Sequence, residues 1–402
     1  MAVPAPSFRD AALWWLKLGL ISFGGPAGQI ATMHREVVER RRWISEGRFQ
    51  HALAYCTVLP GPEAQQLATY IGWLLHGIPG GIVAGGLFVL PSFFVLSGLT
   101  WLYLAYGSMP LVAATFAGVK PAVVAVVFLA AWRIAKRALG SWPARGLAAV
   151  TLLACLLGVP FPILVIVALA LGRAGHFGVA SHASARAGVD DEAVIGDHHA
   201  APPGRPLLVT GASLALGAAA YLSLGEDLRA MAGFFTGLAL LTFGGAYAVL
   251  PYLHDGAIAR GWISTAQMMD GLALGETTPG PLIMVVTFVG FVARGWTGAG
   301  VATFFTFLPS FFFILAGAPL VERARAVPSL AGPLAAVSAA VVGVIIHLGL
   351  RLARHALVPG GHLDYVGLVV MLVSLYLFVR RDMSMMIVLG GAALLGLMRG
   401  LG

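Results

Sequence analysis

The chain has 402 residues, of which 59% are hydrophobic and only 10% charged, against roughly 25% charged in an average soluble domain. That balance argues against a soluble enzyme or a nucleic-acid-binding domain, and the net charge of +8 reads as Lys and Arg flanking membrane segments. Two cysteines in apolar stretches, Cys56 and Cys155, give no disulfide framework.

Met1 to Asp10 has no basic stretch followed by a short apolar run, so the first helix is expected to direct insertion. Apolar segments able to cross about 30 Å of hydrocarbon follow near 11–33, 52–75, 80–104, 111–132, 146–158 and 161–172. One more lies at 207–224, and then 231–252, 266–293, 298–320, 332–350, 363–379 and 384–398 complete the series. The expected fold class is all-α, a polytopic membrane protein of about thirteen helices. The expected organisation is a first repeat over 1–172, a polar flexible linker over 173–206, a connecting transmembrane helix over 207–225 and a second repeat over 226–402. The linker holds His176, His182, Asp190, Asp191, Glu192, Asp197, His198 and His199 among Gly, Ala and Ser. That spacing matches no metal-ligand pattern, and the composition suits a solvated connector.

The two repeats carry the same motifs in the same order. Phe23-Gly24-Gly25 returns as Phe243-Gly244-Gly245, Trp43-Ile44-Ser45 as Trp262-Ile263-Ser264, Pro60-Gly61-Pro62 as Pro279-Gly280-Pro281, and Pro91-Ser92-Phe93-Phe94 as Pro309-Ser310-Phe311-Phe312. A tandem duplication follows. Six segments plus a connector place the second copy upside down, an inverted-topology repeat; if each short pair near 146–172 and 363–398 is a single span, the copies are parallel instead. Arg35, Arg40, Arg41, Arg42 and Arg48 pull the orientation one way, and Arg133, Lys136, Arg137, Arg145, Arg173, Arg186, Arg205, Arg323 and Arg325 pull it the other. The positive-inside rule therefore assigns no orientation.

Chemistry concentrates at the helix breaks. Proline removes a backbone donor, so Pro60-Gly61-Pro62 and Pro279-Gly280-Pro281 must interrupt their helices. Freed backbone groups in hydrocarbon need a protein-lined cavity, and the half-helix after each break presents N–H groups and a positive dipole end suited to an anion. Gly24-Gly25 and Gly244-Gly245 either permit close helix packing or open the first helix of each copy. Glu63 and Glu276 are candidates for proton coupling, because a membrane-embedded acid is functional by default, or they are carboxylates held by nearby amides. Lys120, inside an apolar helix, is placed to neutralise an anion or pair with an acid; Lys17 either does the same or, near a helix end, snorkels to the interface. The amides of Gln29, Gln65 and Gln66, the hydroxyls of Tyr247, Thr277 and Thr278, and Lys120 together suit a compact tetrahedral dianion. Trp43 and Trp262 read as interfacial anchors and Ser45 and Ser264 as helix caps. No phosphate-binding Gly-x-x-x-x-Gly-Lys motif appears, which disfavours primary ATP-driven pumping, and no haem or metal spacing appears, so no cofactor is expected.

These residues resemble the chromate ion transporter family in its long form with two fused halves. The resemblance rests on Phe23-Gly24-Gly25-Pro26, Arg41-Arg42-Trp43 and Leu59-Pro60-Gly61-Pro62-Glu63 in the first half. In the second half it rests on Phe243 to Leu250 and on Glu276-Thr277-Thr278-Pro279-Gly280-Pro281-Leu282. It covers nearly the whole chain except the linker. It implies a secondary transporter of the bacterial inner membrane that exports chromate and confers resistance, with sulfate as the similar competitor, no enzymatic activity and no nucleic-acid partner. A homodimer fits this class, although the sequence carries no signal for one. A channel using the breaks as a filter and a membrane enzyme using Glu63 and Glu276 are the alternatives. Saturable, gradient-driven flux separates the transporter from the first, and the lack of a nucleophile–base arrangement weighs against the second.

Overall fold

The computed structural model describes residues 5–23, 25–174, 193–196, 206–243, 245–324 and 331–401. Among them lie fifteen α-helices and no extended strand; an isolated bridge joins Ile44 to Ile195. The first copy supplies α1 (Phe8–Ile21), α2 (Gly25–His34) with a π-helical extension (Arg35–Arg40), α3 (Glu46–Val58), α4 (Glu63–Tyr106), α5 (Pro110–Ala138), α6 (Trp142–Leu156) and α7 (Phe161–Arg173). After α8 (Pro206–Ser223), the second copy repeats that order. It has α9 (Glu226–Leu240), a 3₁₀ turn (Ala246–Val249) running into α10 (Leu250–Ala259), α11 (Thr265–Thr277) and a 3₁₀ turn (Leu282–Met284) running into α12 (Val285–Ala324). It ends with α13 (Ala331–Leu357), α14 (Tyr365–Arg381) and α15 (Met385–Leu401).

The protein is a multi-pass membrane protein. Among the described residues five segments are long and apolar enough to span a bilayer: Glu63–Tyr106, Pro110–Ala138, Pro206–Ser223, Leu282–Glu322 and Gly332–Leu357. The two longest are folded over. In α4 the backbone leaves helical geometry at His76 and Gly77 (φ +67°), and in α12 at Arg294 and Gly295 (φ +60°). Only glycine takes that left-handed turn cheaply. The arms then lie against each other. A Cβ on Gly72 would touch Gly80 and Ala84, one on Gly290 would touch Gly298 and Ala302, and the Thr287 and Thr303 hydroxyls bond at 2.7 Å. On a straight helix residues eight apart sit about 12 Å apart.

The short first arm of α4 also runs back alongside α3. Tyr55 and Tyr70 pack edge to face at 6.0 Å, while Arg48 and Tyr70 both reach Glu322. Pro60-Gly61-Pro62 therefore forms the tip of a helical hairpin. A second hairpin precedes it, because Arg41 at the end of the π-helical extension returns to stack 5.4 Å over Trp14 of α1. Its tip is the Phe-Gly-Gly bend, where Phe23 N–H bonds the Ile21 carbonyl and Gly25 has φ +76°. The apolar run at 11–33 is thus two helices, and Gly245 (φ +99°) opens the corresponding run in the second copy. The duplicated serines cap the second hairpins as expected: Ser45 accepts from Arg48 N–H at 3.2 Å, and Ser264 forms a reciprocal box with Gln267. Trp43 is buried rather than interfacial, with the Arg41 guanidinium 5.0 Å over its ring.

The equivalent long arms of α4 and α12 pack antiparallel. Gly81 lies against Leu315 and Gly85 against Phe311, so rising numbers on one helix meet falling numbers on the other. Elsewhere small residues bring backbones together, as at Gly118 of α5 against Gly396 of α15. Of the linker, the described residues 193–196 are tied down: Val194 and Ile195 N–H bond the Arg42 and Trp43 carbonyls, and Ser45 N–H bonds Ile195. The linker histidines and its acids all lie outside the described residues.

Candidate functional site

Each Pro-Gly-Pro tip docks on the Phe-Gly-Gly bend of the other copy. Gly61 N–H donates to the Thr242 carbonyl at 2.7 Å, and Gly280 N–H donates to the Ser22 carbonyl at 2.7 Å. The two contacts are related by the duplication, since Ser22 and Thr242 hold equivalent places. Both glycines have left-handed φ, +127° and +112°, and both touch a serine of the opposite long arm. A Cβ on Gly61 would collide with Ser310 Oγ, and one on Gly280 with Ser92 Oγ. Glycine is required there twice over, by conformation and by space. Ser92 Oγ donates to the Pro279 carbonyl, Gln29 Nε2 to the Gly280 carbonyl at 2.6 Å and Gln66 Nε2 to the Pro60 carbonyl at 2.8 Å.

The side chains gathered at these tips are largely polar. Ser22, Gln29, Gln65, Gln66, Ser92, Thr242 and Ser310 are all essentially buried. Among the described residues Ser22 Oγ, Ser310 Oγ and one oxygen each of Gln29, Gln65 and Gln66 find no hydrogen-bond partner. Buried polar atoms are otherwise almost always paired, so a cluster of orphans at two helix breaks marks a place for water or a polar solute. The helix after the first break opens with the Gln66 N–H to Pro62 carbonyl bond, leaving the amides of Glu63, Ala64 and Gln65 ahead of the ladder. The helix after the second break opens more tightly, as a 3₁₀ turn with Met284 N–H on Pro281.

Two charge clusters flank the tips. On one side Arg48 of α3 pairs with Glu322 at the end of α12 at 2.8 Å, and the Tyr70 hydroxyl donates to the same carboxylate at 2.6 Å. Both charged side chains are under 10% exposed. On the other side Asp270 of α11 lies 3.6 Å from Lys120 of α5 and accepts the Tyr103 hydroxyl of α4 at 2.9 Å. Lys120 of this second cluster lies on the wall of a cavity of about 920 Å³, bounded mainly by α5, α13, α14 and α15, with Arg354 and His355 also on its lining; Asp270 sits behind Lys120.

The predicted residues are thus partly assembled. Gln29, Pro60, Gly61, Pro62, Gln65, Gln66, Pro279 and Gly280 surround the crossed tips. Glu276 is buried and accepts the Tyr247 hydroxyl at 2.8 Å. Thr277 and Thr278 bond back to helix carbonyls of α11. Glu63 is half-buried at the start of α4, and Gly25 and Gly245 shape the bends; Gly24 and Gly244 lie outside the described residues. Lys120 sits on the separate cavity beside Asp270 rather than at the tips. Sequence reasoning passed over Ser92 and Ser310, although the repeated Pro-Ser-Phe-Phe motif contains them, and over Asp270, Arg48 and Glu322, whose partners are distant in the chain. Among the described residues no cluster of three or more His, Cys, Asp or Glu could hold a metal ion.

The duplication and the apolar helices agree with what comparison with known proteins finds. The profile of the chromate transporter family matches residues 9–173 and 229–397, one match per copy. The chain belongs to the chromate transporter family. It is 36% identical over 359 residues to a chromate transport protein of Pseudomonas aeruginosa, covering 86% of this chain and 81% of that one. It is 29% identical over 406 residues to a chromate transport protein of Cupriavidus metallidurans, covering 98% and 94%. A probable chromate transport protein of Synechococcus elongatus is 30% identical over 369 residues, 86% of each chain. No solved structure matches. Each family match ends close to the helices that close a copy, α7 and α15, so the family's unit is the single repeat.

Proposed function

We propose that this transporter-family protein is a secondary active exporter of chromate across the bacterial inner membrane, coupled to the proton gradient and conferring chromate resistance. The observation that carries this reading is the pair of crossed hairpin tips, where helix breaks from both copies leave buried polar atoms unpartnered. In repeat transporters such discontinuous helices bind the solute at the repeat interface. The relatives named as chromate transport proteins supply the substrate. The antiparallel packing of α4 on α12 supports an inverted repeat, in which the two copies exchange roles as access alternates.

In this reading the first-turn amides of α4 and the start of α12 face the dianion, with Ser22, Ser310 and the three glutamines fixing its orientation. Glu63 and Glu276 sit at the two breaks and carry the coupling proton. The test is flux of chromate into inside-out vesicles or proteoliposomes under an imposed pH gradient, with sulfate, molybdate and phosphate as competitors. Saturable uptake that collapses with a protonophore is expected, and Glu63→Gln or Glu276→Gln is expected to flatten its pH dependence. Unsaturable flux that follows voltage alone would make the protein a channel. Stronger competition by sulfate than by chromate itself would make sulfate the physiological cargo, since the two ions share charge and shape.

A further inference from the structure

We infer that Asp270 and Lys120 form a proton-for-charge exchange site for a tetrahedral oxyanion on the inner wall of the 920 Å³ cavity. This rests on the oxyanion-transport reading above and adds a carboxylate that reading does not use. Four observations converge. The Asp270 side chain is 6% exposed and Lys120 is 26% exposed, with Lys120 on the cavity lining. Their separation of 3.6 Å is an ion pair without a hydrogen bond. Asp270 Oδ2 accepts from Tyr103 at 2.9 Å, whereas Oδ1, the oxygen facing Lys120, has no hydrogen-bond partner. Finally, the positions equivalent to Asp270 and Lys120 in the first copy are His51 and Ser338 (for the latter, in the second copy), so the duplication built this pair once.

The consequence follows from charge balance. A dianion entering the cavity competes with Asp270 for the Lys120 ammonium. Once Lys120 turns to the dianion, the carboxylate would stand buried beside a like charge, which is strongly unfavourable. It takes a proton from solvent instead, forming one O–H bond at Oδ1 with no change in oxidation state. The new hydroxyl can donate to an anion oxygen, while Tyr103 still donates to Oδ2. One proton therefore enters with each dianion.

The other groups around Asp270 do not do this. Tyr103 from α4 is a neutral donor and Phe288 from α12 is apolar. From α13, Arg351 is engaged with Asp255, which also bonds His254 of α10. From α15, Arg399 is engaged with Asp364 at the start of α14. Arg354 and His355 of α13 also line the cavity; the guanidinium keeps its charge across neutral pH, so His355 supplies the control.

The experiment uses the full chain in detergent or nanodiscs, with sodium sulfate and sodium chromate each as the sole probe. Affinity is measured across neutral pH, together with proton uptake in weak buffer. The wild-type protein is expected to take up about one proton per anion, its Kd rising about tenfold per pH unit. Asp270→Asn should bind with a flat pH profile and take up none; His355→Gln should keep the slope; Lys120→Gln should lose at least about tenfold in affinity. If Asp270→Asn does not fold, the infrared difference spectrum of wild type on anion addition still decides. A protonated-carboxyl band should appear, move in Asp270→Glu and persist in Glu63→Gln and Glu276→Gln. Anion binding with proton uptake unchanged in Asp270→Asn, or a band that vanishes in Glu63→Gln or Glu276→Gln, overturns this inference alone. No binding of either anion by the wild type overturns it together with the oxyanion reading. Affinity that is unchanged when the headgroups are switched from anionic to zwitterionic lipid identifies the free anion as the ligand; binding seen only once the anionic headgroups are removed would assign the cavity to lipid phosphate and overturn the exchange site.

Discussion

Gly280 shows how little freedom the tips allow. Its φ of +112° and the Ser92 hydroxyl against its missing side chain exclude even a methyl group. Gly280→Ala is expected to destabilise the fold by roughly 1–3 kcal/mol and to lower chromate flux at least tenfold. Adding Ser92→Gly removes the collision but leaves the backbone strain and deletes the hydrogen bond to Pro279, so rescue should be partial. Thermal unfolding in detergent beside a flux assay separates the two effects. Full recovery would mean that space alone had selected glycine. At the cavity mouth a different residue-scale effect operates. The Arg399 guanidinium, 2.8 Å from Asp364, holds that carboxyl below the usual carboxylate range. A depressed acid stabilises the fold at neutral pH and loses that contribution as pH falls through its lowered value. Asp364→Asn should therefore soften the acid limb of a melting-temperature profile, by less than about 1 kcal/mol because Arg399 is largely solvent-exposed.

At the scale of elements, the hairpin turns decide how the short arms reach the membrane interior. Gly77 and Gly295 adopt nearly the same left-handed geometry, and a Cβ on either would meet open space. Substitution by alanine is consequently expected to cost only the backbone term, about 1 kcal/mol, whereas proline should unmake the turn. A melting series in detergent over Gly77→Ala and Gly77→Pro tests this, and equal losses would assign the turn to packing. Much of this architecture was legible. The repeated Pro-Gly-Pro and Trp-Ile-Ser motifs fixed where helices break and start, because proline and serine act on the backbone within a turn of themselves. The run at 11–33 hid its bend at Phe23, since hydropathy averages over a window wider than the two residues that make the turn. The pairs Arg48–Glu322 and Lys120–Asp270 were not legible at all. Their members lie 274 and 150 residues apart, and no local rule links them; only the crossing of the copies brings them together.

For the whole molecule, the Arg48–Glu322 pair is a buried charged contact that joins one copy to the other away from the cavity. Removing one member leaves a buried charge unpaired, so Arg48→Gln is expected to cost about 3–5 kcal/mol. The double replacement Arg48→Gln with Glu322→Gln should recover much of that loss, since both charges leave together. A double-mutant cycle on unfolding free energy checks it; additive single losses would show that the two residues act independently. The Lys120–Asp270 cluster, which opens on a cavity, should be more tolerant of the same treatment in stability and less tolerant in transport. That contrast distinguishes a contact that fastens the copies from one that meets the solute.

The crossed tips also set an order of events during synthesis. The amide of Gly61 finds its acceptor at Thr242, and the acceptor at Ser22 receives its donor only from Gly280. When the ribosome has delivered the first copy to the bilayer, its tip glycine still has nowhere to place its N–H, and the Ser22 carbonyl waits likewise. An unpaired amide in hydrocarbon is expensive, so the nascent first half must shelter its hairpin tip at the insertion machinery or in trapped water until some 180 further residues arrive. The Gly61 bond can close once Thr242 is inserted, whereas the Ser22 carbonyl waits for Gly280, so the first half is completed only when the second tip enters.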